Sequence, residues 1–158
     1  MIKYLSYAIT FAEVPDEVSL CFTISNCGFH CKDCHSPELQ GDVGKRLMED
    51  IDALLSQYSG RITCVCFLGQ GNDANEMSQL VDICNGYGLK TALYTAYRYN
   101  PYSKIRWDYL KVGEYDESKG PLSSPRTNQR MYKCVGNGRI YEDITYRFWK
   151  KEGYRIDR

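Results

Sequence analysis

Apolar and polar residues follow one another along this chain in patterns that predict an α/β fold. Residues 18–24 alternate apolar and polar side chains, which is typical of a strand. Residues 62–68 are almost continuously apolar, as in a strand buried on both faces. Residues 89–95 and 109–113 predict two further strands.

Helical periodicity fills the intervals between these strands. Residues 45–59 place Leu47, Ile51 and Leu54 on one face, and residues 75–87 repeat the pattern. Weaker helical signals cover residues 101–107 and 143–151. Residues 130–134 and 139–141 are expected to pair as a hairpin, and the tail 135–158 is assigned no role.

Alternating strands and helices predict βαβ units and a mostly parallel sheet. The chain has 158 residues, too few for a closed eight-fold barrel of about 250. The sequence therefore predicts a single α/β domain over residues 1–158, built as an open or partial parallel β/α barrel. Binding sites in such folds lie beyond the carboxyl ends of the strands.

The long loop 25–44, directly after the first predicted strand, carries the strongest chemical signal. It contains Cys27, Cys31 and Cys34 in the spacing C-x3-C-x2-C. Three thiolates suit a 4Fe-4S cluster in which one iron stays open to another ligand. A zinc site completed by His30 or His35, and a loop without metal, are the alternatives.

The other cysteines fit the hydrophobic core better than a metal site. Cys21, Cys64 and Cys66 lie in predicted strands, and Cys84 lies on the inner face of a predicted helix. A free thiol behaves as a small apolar side chain. The placement of Cys134 is left open.

A second loop, Gly69-Gln70-Gly71-Asn72-Asp73, separates a predicted strand from a predicted helix. Glycines let backbone N–H groups turn towards an anionic or zwitterionic ligand, and the helix N-terminus adds partial positive charge. A simple strand-to-helix turn, capped by Asp73, is the alternative.

Taken together, these segments resemble the radical S-adenosylmethionine (SAM) activating enzymes of anaerobic (class III) ribonucleoside-triphosphate reductases. The likeness covers about residues 16–132 and is carried by residues 24–38, 67–73, 93–97 and 127–130. The resemblance implies that Cys27, Cys31 and Cys34 hold a 4Fe-4S cluster with one open iron. It also implies that SAM binds near a set of residues around the loops: His35, Gly69, Gly71, Asn72, Asp73 and Thr95.

The resemblance also implies a reaction and two protein partners. The reduced cluster would cleave SAM, and the resulting 5′-deoxyadenosyl radical would take hydrogen from a glycine of the reductase's glycyl radical subunit. A flavodoxin or ferredoxin would supply the electron. Activation of another glycyl radical enzyme or of a peptide, and a non-catalytic zinc or iron–sulfur binding module, are the alternative functions.

The charge and hydropathy of the chain argue against two kinds of partner, nucleic acids and membranes. Lys plus Arg and Asp plus Glu number 20 each, so the formal net charge is zero and no basic surface for nucleic acid is predicted. No apolar run approaches the roughly 20 residues that span a bilayer, and no signal pattern begins the chain. We therefore expect a cytoplasmic protein that binds neither nucleic acid nor membrane.

Overall fold

A single mixed β-sheet organises the computed structural model, which describes residues 1–26, 41–136 and 140–149. In the described chain the strands are β1 (Lys3–Thr10), β2 (Ser19–Ile24), β3 (Lys45–Arg46), β4 (Cys64–Leu68), β5 (Lys90–Tyr94), β6 (Tyr109–Val112), β7 (Arg130–Val135) and β8 (Ile140–Asp143). The α-helices are α1 (Leu47–Tyr58) and α2 (Ala74–Gly86), and a 3-10 turn covers Thr145–Phe148.

The strands lie in the order β3-β1-β2-β4-β5-β6-β7-β8. The centre of the sheet, β2-β4-β5-β6, is parallel, as the alternation of strands and helices predicts. Both flanks are antiparallel, so the prediction of a mostly parallel sheet is wrong. Within the described residues β3 and β8 do not pair, and the sheet is open.

Both helices pack on one face of the sheet. Aromatic residues form the centre of that core: the rings of Phe22 on β2 and Phe67 on β4 lie 6.2 Å apart, and Trp107, which precedes β6, meets Phe67 edge-on at 5.9 Å. The buried residues of α1 include Leu47 and Ile51, which helical periodicity places on its inner face. Burial of this apolar stripe is what holds the helices on the sheet.

The opposite face is covered by loops rather than helices. Cys21, Cys66 and Ala92 lie side by side across β2, β4 and β5, and Val14 and Leu122 belong to the same cluster. The prediction that four cysteines belong to the core is confirmed, since Cys21, Cys64, Cys66 and Cys84 are all buried, whereas Cys134 is half-buried. Burial raises the pKa of the Cys84 thiol to about 12, so this thiol is un-ionised and unreactive at neutral pH.

Two helical predictions are wrong. Residues 101–107 form an irregular segment, because the side chain of Asn100 accepts from the amide of Tyr102 (2.9 Å) and donates to the carbonyl of Ile105 (3.3 Å). These bonds replace those of a helical turn. The predicted helix 143–151 is reduced, within the described residues, to the 3-10 turn that follows β8.

The sequence analysis also missed β1 and β3. Most side chains of β1 are exposed, and its stability comes from pairing with β2 rather than from a local apolar pattern. Lys45–Arg46, predicted as the start of a helix, pair with Lys3 and Tyr4 instead. The hairpin β7–β8 is confirmed, although its turn at 137–139 lies outside the described residues.

No helix among the described residues has the length and apolar character that crossing a bilayer requires.

A buried carboxylate links the amino ends of the central strands. Glu17 accepts from the hydroxyl of Tyr109 (2.7 Å) and from the ammonium of Lys90 (2.9 Å). Burial by itself would raise the pKa of Glu17, but these hydrogen bonds outweigh it and lower that pKa below its usual value. The network lies at the end of the strands far from the predicted site, so we assign it to stability.

Replacing Tyr109 by Phe should lower the free energy of unfolding by about 1–3 kcal/mol at neutral pH, because it removes a donor from a buried carboxylate. Since the folded pKa of Glu17 lies below its unfolded value, its stabilisation is complete above the unfolded pKa and disappears as the pH falls through the folded pKa. Urea unfolding at pH 7 and at acid pH measures both effects. Tyr99→Phe, at an exposed ring, is the control, and equal stability of the two variants would contradict the assignment.

Candidate cofactor site

The ends of the cysteine loop meet at the carboxyl edge of β2. Asn26 donates its amide to the carbonyl of Gly41 (2.9 Å), and Ser25 donates its hydroxyl to the carbonyl of Val43 (2.5 Å). Asn26 has a φ of +57°, a left-handed conformation that asparagine tolerates better than most residues. The residues on either side of 27–40, Asn26 and Gly41, are therefore joined by a backbone hydrogen bond at the end of β2.

The predicted ligands themselves, Cys27, Cys31, Cys34 and His35, together with His30, lie outside the described residues. Among the residues that are described, no group of three His, Cys, Asp or Glu side chains is arranged to hold a metal ion. The described structure shows only where the segment that carries the candidate ligands begins and ends, at Asn26 and Gly41.

The glycine loop packs directly against this anchor. A Cβ at Gly69 would lie 3.1 Å from the carbonyl oxygen of Ile24, and one at Gly71 would lie 2.7 Å from Cδ1 of Ile2. Both glycines have positive φ, +116° and +66°. At position 69 a glycine therefore lets the end of β4 approach the end of β2 closely. The sequence analysis did not assign this packing role.

The backbone amide of Gly69 is hydrogen-bonded within the sheet. It donates to the carbonyl of Tyr94 at 2.9 Å and so joins the end of β4 to the end of β5. The expectation that the successive glycines turn their N–H groups towards a ligand is therefore wrong for Gly69.

Gln70 is a site residue that the sequence analysis missed. It is 2% exposed, and its side-chain oxygen accepts from the hydroxyl of Thr95 (2.9 Å). Its backbone carbonyl accepts from the hydroxyl of Tyr102 (2.7 Å). The sequence feature that could have identified this residue is a polar side chain between two glycines, directly after a buried strand.

Asp73 and Asn72 have different environments. Asp73 caps α2 by accepting from the amide of Glu76 (3.0 Å), as the turn alternative predicts, and it also accepts from the Met1 ammonium (2.6 Å). The hydrogen bond with that ammonium lowers the pKa of Asp73. Asn72 is exposed at the tip of the loop.

Lys111, on β6, is a buried cation near the carboxyl end of that strand. The Thr95 amide donates to the Lys111 carbonyl (2.9 Å), and Lys111 Nζ donates to the carbonyl of Gly113 (3.0 Å) and lies 5.5 Å from the ring centre of Tyr94. The lysine is 8% exposed. A cation in such a low-dielectric position attracts a carboxylate more strongly than one on the surface.

The segment 127–130 folds onto the same edge. Gln129 Nε2 donates to the carbonyl of Gly113 at 3.2 Å, next to Lys111. A cavity of about 680 Å³ opens beside Gly113. The charged residues in its lining are Arg98, Lys119, Arg130, Glu114 and Asp116. The glycine loop, Thr95, Lys111 and Gln129 thus form one hydrogen-bonded row along the carboxyl ends of β4, β5 and β6.

Neither a family model, nor a curated protein, nor a solved structure matches this chain.

Replacing Gly69 by Ala should lower the free energy of unfolding by about 1–3 kcal/mol, because alanine is strained at this positive φ and its Cβ would meet the Ile24 carbonyl. Gly86→Ala is the matched control, since apart from its chain neighbours and the nearby backbone of α2 no described atom lies within 4 Å of its Cβ position, and its φ is not positive. It should leave stability unchanged or raise it by up to about 1 kcal/mol. Thermal unfolding compares them, and a Gly69→Ala protein as stable as the control would refute the close approach.

Proposed function

We propose that this chain is a radical SAM activating enzyme that generates a glycyl radical in an anaerobic ribonucleoside-triphosphate reductase. The observation that carries the proposal is that segments distant in sequence meet at one edge of the sheet. The glycine loop follows β4, Thr95 follows β5, and Gln129 reaches the end of β6. The anchor of the cysteine loop lies against Gly69.

The chemistry of the donor set suits a 4Fe-4S cluster with one open iron. Cys27, Cys31 and Cys34 would supply three thiolates from a loop whose two ends are tied together at Asn26 and Gly41. When bound, such a cluster supplies the electron that cleaves SAM to methionine and a 5′-deoxyadenosyl radical.

The chain's own residues bind and orient SAM in this proposal. Lys111 offers its positive charge to the carboxylate of the methionine portion, and Asn72 offers an exposed amide at the tip of the glycine loop. Gln70 acts indirectly, because its hydrogen bonds to Thr95 and Tyr102 keep the ends of β4 and β5 together. Thr95, His35 and the glycines complete the proposed binding region.

The target glycine would belong to the reductase, so it must reach this edge of the sheet from outside. The cavity beside Gly113 provides an opening there, lined by side chains of both charges. The likeness of residues 127–130 to the activating enzymes favours the reductase over another glycyl radical enzyme. The proposal places the protein in the cytoplasm, with a flavodoxin or ferredoxin as electron donor.

A Cys31→Ala variant should lose SAM cleavage. Two thiolates do not hold a cubane that normally uses three or four, so iron content and 5′-deoxyadenosine formation should both fall to background after anaerobic reconstitution and reduction. Cys134→Ala is the control, because Cys134 is a half-buried cysteine of β7 and not a proposed ligand. Cleavage that persists in Cys31→Ala would refute the ligand set.

Lys111→Met should weaken SAM binding about tenfold or more, since a buried charge-assisted contact contributes about 1.5–3 kcal/mol. Lys133→Met is the matched control, because Lys133 also lies over a tyrosine ring, 6.0 Å from the centre of Tyr109, but further from the carboxyl edge. Equilibrium binding of SAM to the reconstituted protein measures both. Equal affinities would remove Lys111 from the site.

A non-catalytic module that holds zinc is the second candidate. It is favoured by one observation, that the Gly69 amide and the Thr95 hydroxyl are both engaged within the chain. Metal analysis of anaerobically prepared protein separates the two functions: about one zinc without iron would establish the module and exclude the activating enzyme.

A further inference from the structure

The connection between β5 and β6, residues 95–108, is an irregular segment that begins at the carboxyl edge of the sheet. Two hydrogen bonds hold it there. The amide of Gly113 donates to the carbonyl of Tyr97 (2.7 Å), and the hydroxyl of Tyr102 donates to the carbonyl of Gln70 (2.7 Å). Because its backbone is tied to the ends of β4 and β6, this crossover segment loses little conformational entropy when it binds a partner.

The large exposed side chains of the crossover segment are aromatic and cationic. Tyr99 is 65% exposed, and its ring centre lies 5.8 Å from that of Tyr97. Arg98 and Lys104 are exposed, and neither has an ion pair with another described residue. Residues 95–107 include no Asp or Glu. The segment therefore offers positive charge beside an exposed aromatic ring, although the chain as a whole has no net charge.

Two cavities adjoin the crossover segment. Arg98 lines the cavity of about 680 Å³ beside Gly113. Lys104 lines a second cavity of about 350 Å³, which Ala74 and Asn75 at the start of α2 also line. Tyrosine and arginine supply much of the binding energy of protein interfaces, particularly where pockets surround them. The segment thus combines the residue types and the concave surroundings of a protein-binding surface.

We propose that the crossover segment is the surface on which the glycyl radical subunit of the reductase docks. Tyr99 enters an apolar pocket of that subunit, and Arg98 and Lys104 pair with its carboxylates. This inference rests on the proposed function, which requires the target glycine to reach the carboxyl edge of the sheet from outside. The crossover segment stands at that edge, so a partner that covers the edge contacts it.

A protein fits this surface better than a nucleic acid does. Exposed aromatic rings beside cations also suit single-stranded nucleic acid. However, Glu114 and Asp116 line the same cavity as Arg98, and their charges repel phosphates. A protein surface that carries both charges can pair with the cations and the carboxylates at once.

Binding of the purified glycyl radical subunit to the reconstituted full chain, measured by anaerobic titration calorimetry, tests the surface. Tyr99→Ala and Arg98→Glu should each weaken binding about tenfold or more, because each removes a contact of the type that dominates interface energies. The affinity of the wild type should fall as salt is added. Arg98→Glu should reduce that dependence, since it removes an attractive charge.

Two variants at the other end of the sheet are the matched controls. Phe11→Ala removes an aromatic ring that is 75% exposed, and Arg61→Glu reverses an exposed cation. Phe11 follows β1, which is antiparallel to β2, and Arg61 precedes β4, so both lie near the amino ends of the central strands. Both variants should bind the subunit like the wild type.

A wild-type chain that does not bind the subunit overturns the proposal, and so do Tyr99→Ala and Arg98→Glu proteins that bind as tightly as the controls. Binding of a fluorescent single-stranded RNA that both variants abolish would assign the segment to nucleic acid instead. Circular dichroism establishes that each variant is folded, and if one is not, the other decides.

Cleavage of SAM in the absence of the reductase separates this inference from the proposed function. Tyr99→Ala should retain that cleavage and lose formation of the glycyl radical, which electron paramagnetic resonance detects. A wild-type chain that does not cleave SAM contradicts the proposed function, whereas loss of reductase binding in the variants would still establish the docking surface. Unchanged reductase binding in both variants contradicts the docking surface alone.

Discussion

The close approach of two strand ends is the constraint on which the candidate site depends. The backbone at Gly69 lies so near the Ile24 carbonyl that a Cβ there would stand 3.1 Å from it. This contact sets the end of β4 against the end of β2, where Asn26 and Gly41 tie the cysteine loop together. The Gly69 amide donates to the Tyr94 carbonyl and the Thr95 hydroxyl donates to the Gln70 side chain, and these two bonds extend the alignment to β5.

The two faces and two ends of the sheet have separate physical roles. One face carries the helices over an aromatic core, and the other is closed by loops over small side chains such as Cys66 and Ala92. At the amino ends of the strands, Glu17 is held by Tyr109 and Lys90 in a buried network. The chemistry proposed for the protein is confined to the opposite, carboxyl edge.

The sequence predicted those elements whose formation depends on residues close together in the chain. The strand before the cysteine loop, the two helices and the buried cysteines follow from periodicity and burial. The edge strand β1 was missed because its stability comes from distant pairing, and the helix at 101–107 was wrong because the Asn100 side chain takes over its hydrogen bonds. The role of Gln70 required the fold, since its partners Thr95 and Tyr102 are distant in sequence.

In the proposed function, an open iron of a three-cysteine cluster binds SAM directly. Electron paramagnetic resonance of the anaerobically reconstituted and reduced protein, recorded with and without SAM, examines this coordination. We expect the spectrum of a reduced 4Fe-4S cluster, with g-values that change when SAM is added because the ligand of one iron changes. An absent cluster signal, or a cluster spectrum that SAM leaves unchanged, would rule out the proposed coordination.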